Sequence, residues 1–438
     1  MSSALLSLVL AAGALPGWPR PAGGPVSQAA IAVQLDGEPA ALVVAGDALV
    51  AFRADGQRVP GFPVALGPGE LATGAPAAVD RGGRPDVAVV TGSGKVFLFS
   101  GATPVKPFPR ALGARARAGA SFADVDGDGK PEILVGDARG RLHALRRDGE
   151  EARGWPVDLG AAVTSTAATA RFAGGPALAV GCADGKVHVL DLATRKERPG
   201  FPLRTGYEVT GAPAFVDLDG DGEMDLVVAS QDFKLYAVDR RGAPLAGFPV
   251  EAGYRIYDGP AVGDLDGEGK LSVAFTSADG LLHVVDAGGA ERPGFPVKLG
   301  ARVFGGAVLG DLDRDGRPDV AAVSADGNVV AVDREGKMLA GFPTRFEASD
   351  LGASPALLDL AGDQSLSLVI GFPGGDLYAV RALRFGTVAA RAPWPMPGHD
   401  PARTGHATAA TSYHALALEP AAPRTGDALR ARWRWAAP

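Results

Sequence analysis

The chain has 438 residues, 46% of them hydrophobic, with 62 glycines, 35 prolines and a formal net charge of −7. So much glycine and proline indicates either disorder or a fold rich in turns, and the short, regularly spaced apolar runs exclude disorder. Both signs of charge are mixed along the chain without a basic stripe, which argues against nucleic acid as a partner. No apolar run reaches the ~20 residues of a membrane-spanning helix.

The first 17 residues have the character of a secretory leader. An apolar run fills residues 4–14, and Ala12 and Ala14 are spaced as at a cleavage site, although no Lys or Arg precedes the run. We therefore expect residues 1–17 to be a signal peptide or leader. The mature protein is then expected to be secreted, periplasmic or on the cell surface.

From residue 18 onward an aromatic–Pro dipeptide recurs at spacings of 44 to 52 residues. A period in the 40s is typical of an array of small supersecondary units. We therefore predict one all-β domain over residues 18–405, a β-propeller of four-stranded antiparallel blades, with eight blades favoured and seven as the alternative. Nine copies bound eight repeats: Trp18-Pro19, Phe62-Pro63, Phe108-Pro109, Trp155-Pro156, Phe201-Pro202, Phe248-Pro249, Phe295-Pro296, Phe342-Pro343 and Trp394-Pro395.

The repeat over residues 211–250 shows how one blade is built. Three apolar runs, at 211–216, 226–230 and 234–238, are separated by an Asp-Gly loop and a short turn, and an aromatic–Pro mark closes the unit. Because proline cannot donate to a ladder, the mark predicts the outer strand of each blade, with the aromatic ring packed between blades. Nine marks for eight outer strands leave one spare. We expect Trp394 to close the ring and Trp18 to lie in the leader.

Three of the Asp-Gly loops share one pattern, with carboxylates at loop positions 1, 3, 5 and 9 and glycine at position 6. Hard cations such as Ca²⁺ take six to eight oxygen ligands, and carboxylates this close repel one another unless a cation lies among them. We predict one Ca²⁺ in each loop, with the carbonyl of position 7 as a further ligand. The predicted ligands are Asp124, Asp126, Asp128, Lys130 and Glu132; Asp217, Asp219, Asp221, Glu223 and Asp225; and Asp311, Asp313, Asp315, Arg317 and Asp319.

A fourth loop carries the pattern in a weaker form. Asp264, Asp266, Glu268 and Lys270 hold positions 1, 3, 5 and 7, but position 9 is Ser272. A fourth Ca²⁺ and an ordinary solvated turn both stay open here. The three full loops are not EF-hands, because their position 12 is Val or Ala within a strand rather than Glu.

Short sequences before these loops resemble a known repeat. Phe304-Gly305-Gly306-Ala307 and Gly211-Ala212-Pro213, each followed by an acidic loop, are similar to the FG-GAP/VCBS-type repeat of integrin α-subunit propellers and many bacterial secreted propellers. The resemblance extends over roughly residues 26–400. It implies Ca²⁺ between the first two strands of a blade and an adhesion or binding scaffold outside the cell. Integrin propellers have seven blades, whereas eight are favoured here, so the resemblance is to the repeat and not to integrin itself.

The loops that lead into the innermost strands hold aromatic and charged residues that suit a binding surface. His143, His188 and His283 take one equivalent position on different blades, so we expect no shared metal or catalytic site from them. Packing at the channel rim is the alternative to a ligand site at this mouth. The candidate ligand site comprises Tyr207, Tyr254, Arg255, Tyr257, Asp258 and Phe304.

These features favour a monomeric, non-catalytic propeller that binds an extracellular protein or glycan. A calcium-dependent polysaccharide lyase and an envelope assembly scaffold similar to quinoprotein-type propellers are the alternatives, and fold alone does not choose among them. Residues 406–438 alternate apolar and polar side chains as the start of an immunoglobulin-like sandwich does, but such a domain needs ~100 residues.

Overall fold

The structure is a computed structural model that describes residue 15 and residues 17–172, 174–346, 353–361 and 366–381, with residues 377–381 described by their backbone alone. The described residues form eight antiparallel sheets and no helix. Each sheet has four strands paired in the order of a meander, and the second sheet carries one extra short strand. The all-β propeller is therefore confirmed, and its sheets equal in number the eight intervals between the aromatic–Pro marks.

Blades are numbered 1 to 8 by the chain order of their innermost strands, which contact one another between blades. The innermost strands are β2 (Ile31–Leu35), β6 (Ala77–Val79), β11 (Ser121–Ala123), β15 (Ala168–Phe172), β19 (Ala214–Val216), β23 (Ala261–Gly263), β27 (Val308–Gly310) and β31 (Ala356–Leu358). The second strands are β3 (Glu38–Ala45), β7 (Asp86–Val90), β12 (Glu132–Gly136), β16 (Gly175–Gly181), β20 (Asp225–Ala229), β24 (Ser272–Ser277), β28 (Asp319–Val323) and β32 (Ser367–Gly371).

The third strands are β4 (Ala48–Phe52), β8 (Lys95–Ser100), β13 (Arg141–Leu145), β17 (Lys186–Asp191), β21 (Lys234–Val238), β25 (Leu281–Asp286), β29 (Asn328–Val332) and β33 (Asp376–Arg381). The outer strands are β5 (Val64–Ala65), β10 (Arg110–Ala111), β14 (Val157–Asp158), β18 (Leu203–Arg204), β22 (Val250–Glu251), β26 (Val297–Lys298), β30 (Thr344–Arg345) and, for blade 8, β1 (Arg20–Pro21). The extra strand β9 (Thr103–Pro104) pairs with β8 in blade 2.

The hydrophobic core lies between neighbouring blades. Both faces of each sheet are covered, so second strands such as β7 and β12 read as unbroken buried runs. Between blades 4 and 5 the rings of Phe172 and Phe215 lie 5.1 Å apart, and Phe201 of an outer strand's mark packs on Phe172 from 5.9 Å. The aromatic of the mark therefore packs in the core between blades.

The ring is closed by the N-terminal mark, and the expectation that Trp394 closes it is wrong. The strand β1 follows Trp18-Pro19 and pairs with β33, while the innermost strand β31 contacts β2. The indole of Trp18 is 7% exposed, lies 5.6 Å from the Phe52 ring and donates from Nε1 to the Ala54 carbonyl at 2.8 Å. Trp18 thus belongs to the propeller instead of the leader. Residue Trp394 lies outside the described residues.

In seven of the nine marks glycine precedes the aromatic residue, whereas Pro107 and Pro393 precede it in the other two, and close packing accounts for the glycine. The outer strand begins directly after each described proline, and the eight described aromatic–Pro bonds are all cis. Gly247, before one mark, has φ +82°, and a Cβ on it would lie 1.7 Å from the carbonyl oxygen of Gly288 in the next blade. Only glycine allows both this backbone conformation and this approach between blades.

The meander places the loops on two opposite faces. The acidic face carries the loops between first and second strands and those between third and fourth strands. The entry face carries the loops between second and third strands and those leading into each innermost strand. In the part of the chain that the structure describes, no helix is long and apolar enough to cross a bilayer.

Candidate functional site

The acidic loop of blade 3 is organised by its first carboxylate. Asp124 accepts the N–H of Gly127 at 2.7 Å and that of Gly129 at 2.9 Å, which folds the loop around the side chain. The position-9 carboxylate of Glu132 returns to the loop and accepts the N–H of Val125 at 3.0 Å. Oxygen atoms of Asp124, Asp126 and Glu132 consequently lie within 4.8 Å of one another.

Blades 5 and 7 repeat this arrangement. Asp225 accepts the N–H of Leu218 at 2.9 Å, as Asp319 accepts that of Leu312 at 2.7 Å. The carboxylates that come within 4.8 Å of one another are Asp217, Asp219 and Asp225 in blade 5, and Asp311, Asp313 and Asp315 in blade 7. The structure thus brings together three of the four predicted carboxylates in each full loop.

The position-9 carboxylates are buried among other negative charges. Burial, followed by repulsion from the neighbouring loop carboxylates, raises the pKa of Glu132 to about 7 and that of Asp225 to about 7. The same causes raise the pKa of Asp319 to about 8 and that of Asp311 above its usual range. These loops concentrate negative charge that a bound cation would neutralise.

The donor set fits a hard divalent cation. Oδ1 of Asp217 is buried and accepts no hydrogen bond from the described residues. Such an atom costs free energy unless a cation or water satisfies it. The carboxylates of Asp128 and Asp221 are partly engaged, since each accepts the position-7 N–H at 2.8 Å. The role of the position-7 carbonyls as ligands stays a prediction.

The weaker fourth loop, in blade 6, is held by arginine. Arg292 contacts both carboxylate oxygens of Asp266 at 2.8 and 2.9 Å and donates to Ser272 at 3.0 Å. This guanidinium lowers the pKa of Asp266 and joins loop positions 3 and 9. Asp264 and Glu268 are not gathered with Asp266 into a metal-sized cluster, in contrast to the three full loops. A fourth Ca²⁺ is therefore not supported.

Blade 2 uses the same device, which sequence reasoning missed. The buried carboxylate of Asp86, 1% exposed, is contacted by Arg147 of blade 3 at 2.7 Å and by Arg81 at 3.0 Å. Arginine side chains therefore neutralise Asp86 in blade 2, as Arg292 neutralises Asp266 in blade 6. Nothing in the sequence spacing links Arg147 to Asp86, because the contact crosses between blades.

The three histidines stabilise separate hairpins. Each Nδ1 lies within hydrogen-bond distance of a glutamate on its own blade: His143 and Glu151 at 2.6 Å, His188 and Glu197 at 2.7 Å, His283 and Glu291 at 2.9 Å. The glutamates also accept backbone N–H groups of the third strands. The structure does not bring the three histidines together.

One repeated hydrogen bond on the entry face aligns the blades residue by residue. In blades 2 to 7, an N–H of the loop between the second and third strands donates to a carbonyl of the loop that leads into the innermost strand. We call the residue that supplies this carbonyl the rim residue. The six rim residues are Leu71, Arg115, Ala162, Glu208, Arg255 and Arg302. The residue before the rim residue is alanine in blades 3, 4 and 7 but tyrosine in blades 5 and 6. These are Tyr207 and Tyr254.

A third difference from the other blades lies between Tyr207 and Tyr254 in the sequence. The last residue of the loop between second and third strands is glycine with positive φ in blades 2, 3, 4, 6 and 7. Blade 5 has Phe233 there, at φ +75°. A bulky residue rarely adopts this conformation, so a phenylalanine here calls for a reason other than the turn. The equivalent glycines in the other blades are the signal that could have revealed it in the sequence.

Tyr207, Phe233 and Tyr254 form what we call the aromatic ledge. They are 51%, 40% and 44% exposed, and the rings of Phe233 and Tyr254 stack with centroids 5.4 Å apart. The guanidinium of Arg255 lies 4.6 Å from the centroid of the Tyr207 ring and donates to Gln231 at 3.2 Å. Ordered, exposed aromatic rings beside arginine are characteristic of binding surfaces.

The other predicted ligand residues have structural contacts. Tyr257 and Phe304 pack on each other with ring centroids 5.5 Å apart. Asp258 accepts the N–H of Gly306 at 2.9 Å and the hydroxyl of Ser354 at 2.5 Å, which ties blade 6 to blades 7 and 8. Of the predicted site, Tyr207, Tyr254 and Arg255 thus come together with Phe233. The remaining three residues pack or bond within the mouth.

Comparison with known proteins supports the fold. No protein-family model matches the chain, and no curated protein gives a significant match. Similar solved structures include BamB from Moraxella catarrhalis (16% identity, TM-score 0.53, covering 79% of this chain and 94% of that one). The computationally designed Ika8 protein (16%, 0.57, 84% and 99%) and Saccharomyces cerevisiae Sqt1 (10%, 0.58, 85% and 99%) are also similar. At these identities the likeness concerns the fold.

Proposed function

We propose that the chain is a calcium-stabilised, non-catalytic β-propeller that acts as a protein- or glycan-binding scaffold outside the cytoplasm. The observation that carries the proposal is the aromatic ledge. Three large aromatic side chains stand exposed at positions where blades 3, 4 and 7 have alanine or glycine. The fold does not need them there, because the other blades form the same turns without them.

Calcium has a structural role in this proposal. The full acidic loops lie on the acidic face and the ledge lies on the entry face, so the cation sites and the binding surface are at opposite ends of the blades. Each cation would neutralise the three clustered carboxylates of blade 3, 5 or 7, and in blades 3 and 5 it would join the loop to the second strand through Glu132 or Asp225. Because a cation bound only by the folded state stabilises that state, loading these loops would keep the ledge in place.

Two further features support the proposal. The leader-like residues 4–14 favour a location outside the cytoplasm. His143, His188 and His283, which could serve catalysis, each contact a glutamate of their own blade in a separate structural contact. A binding role therefore accounts for the exposed residues better than an enzymatic one.

The proposal is tested with a variant that restores the residues of the other blades. Tyr207→Ala, Phe233→Gly and Tyr254→Ala together remove the ledge without introducing a residue foreign to these positions. Wild type and variant, both loaded with Ca²⁺, are compared on a glycan array and against a displayed library of random 12-residue peptides. We expect ligands that bind the wild type and are lost in the variant. Identical ligand profiles for the two proteins would contradict the proposal.

A further inference from the structure

We infer that the partner of the aromatic ledge is an extended, acidic peptide segment of another protein, with an apolar residue that packs on the ledge. The inference rests on the proposed binding function and specifies its ligand. It follows from the charges on the entry face, from the way the carboxylates of that face are satisfied, and from the shape of the ledge.

The entry face holds arginines without a carboxylate partner. Arg115, Arg255 and Arg302 are rim residues, and Arg139 lies in the loop between second and third strands of blade 3. None of the four forms an ion pair with a carboxylate among the residues that the structure describes, and Arg115, Arg139 and Arg302 are exposed. These side chains are available to pair with carboxylates of a ligand.

The carboxylates near the ledge are occupied by contacts within the propeller. Asp232 accepts the N–H of Gly206 at 2.5 Å and the hydroxyl of Tyr236 at 2.6 Å. Glu208 is paired with Arg117 at 2.8 Å, across the mouth from blade 3 to blade 5. The oxygens of these two carboxylates are therefore engaged within the propeller, whereas the four arginines have no carboxylate partner among the described residues.

The four arginines set the charge of a matching ligand. Arg115 and Arg139 lie in blade 3, Arg255 in blade 6 and Arg302 in blade 7, all at the entry face. A ligand that matches the entry face carries negative charge. Its carboxylates can pair with these guanidinium groups.

The ledge favours a peptide over a neutral glycan. Phe233 and Tyr254 present a stacked pair of rings, interplanar angle 13°, with the Arg255–Tyr207 pair beside them. An apolar side chain gains from packing on such rings, and flanking carboxylates gain from the rim arginines. A neutral sugar would use the rings but leave the four arginines without a role. The arginines also span several blades around the mouth, which an extended chain can reach and a compact ligand cannot.

The test begins with the peptides selected by the wild-type protein from the 12-residue library. The inference predicts selected sequences with Asp and Glu flanking an aromatic or aliphatic residue. A fluorescein-labelled selected peptide and its Asp→Asn, Glu→Gln counterpart are then compared by fluorescence polarisation at 50 and 300 mM NaCl. The acidic peptide should bind at least about tenfold more tightly at the lower salt concentration, and this difference should disappear for the neutral counterpart.

Variants assign the binding to the ledge and to the arginines separately. Phe233→Gly should weaken binding of the acidic peptide about 30-fold, as for a central aromatic contact. Arg255→Gln and Arg302→Gln should each weaken it by up to about fivefold and reduce its salt dependence. Leu71→Ala, at an exposed apolar rim residue of blade 2, and Arg153→Gln, at an exposed arginine of the acidic face, are the matched controls and should leave binding unchanged.

The outcomes separate this inference from the proposed function. Ledge-dependent binding of neutral glycans, or of peptides without acidic enrichment, would overturn the acidic partner and keep the binding scaffold. Acidic peptides whose binding is indifferent to Phe233→Gly and to Arg255→Gln would also overturn it. Failure of every peptide and glycan to bind the calcium-loaded wild type would overturn both.

Discussion

Calcium binding to the three full loops should depend steeply on pH. Ca²⁺ requires the clustered carboxylates to be ionised, whereas burial and neighbouring carboxylates raise the pKa of Glu132 in blade 3 and of Asp225 in blade 5 to about 7 and raise that of Asp311 in blade 7 above its usual range. Protons therefore compete with the cation below pH 8. From pH 8 to pH 5 this competition should weaken Ca²⁺ binding about 100-fold in blades 3 and 5, and it should weaken binding in blade 7 as well.

The metal-free protein should show the opposite trend in stability. A carboxyl group whose pKa is raised in the folded state favours folding when protonated, and this stabilisation is lost as pH rises from the unfolded value to the folded one. For Glu132 alone, with a folded pKa of about 7, the free energy of unfolding should fall by about 2–3 kcal/mol between pH 5 and pH 8. Added Ca²⁺ should restore it at pH 8 and have little effect at pH 5.

Both trends can be measured by thermal melting and isothermal titration calorimetry in Ca²⁺-free and Ca²⁺-containing buffer. Glu132→Gln imitates the protonated side chain, so its blade-3 site should bind weakly at both pH values and lose its pH dependence. Asp264→Asn in the arginine-held loop of blade 6 is the control and should leave the number of sites unchanged. Equal Ca²⁺ affinity at pH 5 and pH 8 in the wild type would refute the reasoning.

Three further predictions concern the framework. Ser272→Asp with Arg292→Ala supplies a position-9 carboxylate and removes the competing guanidinium, so the number of Ca²⁺ bound in calorimetry should rise by one; an unchanged number would contradict the role assigned to arginine. Gly247→Ala should lower the free energy of unfolding by more than about 3 kcal/mol, because the added Cβ meets a carbonyl of the next blade. Gly160→Ala is the control: Gly160 has φ +80° and open space around it, so the substitution should lower the free energy of unfolding by about 1 kcal/mol. Similar costs for the two variants would refute the close approach. Trp18→Ala should cost about 3–5 kcal/mol in urea unfolding, and a neutral effect would be incompatible with ring closure by the N-terminal strand.

The fold was largely predictable because the repeat is visible as a period. Proline in each mark predicted the outer strand, and the outer strand does follow it. The closing strand was not predictable in the same way, because Trp18 and Trp394 both belong to copies of the mark. Only the pairing of β1 with β33 shows that the copy at Trp18 precedes the closing strand. Ring closure depends on contacts between the two ends of the chain, which spacing along the sequence does not record.

In the candidate site, too, features set by local spacing were predictable and features set by contacts between distant residues were not. The acidic loops were predictable because their ligands lie within nine residues, so local spacing fixes the cluster. The arginine contact that replaces a cation in blade 6 was not predictable, because Arg292 is 26 residues from Asp266. The two residues meet only because the folded blade brings their loops together. Phe233 was overlooked because an aromatic residue after a turn is unremarkable until the aligned blades show glycine in its place.

The most direct test of calcium-stabilised folding is an experimental structure determined from crystals grown with CaCl₂, with ions identified by their anomalous scattering. We predict one Ca²⁺ in each of blades 3, 5 and 7, bound by the clustered carboxylates of the acidic loops, and Arg292 paired with Asp266 in blade 6. Loops without an ion at millimolar Ca²⁺, or an ion in blade 6 with Arg292 displaced, would contradict this account.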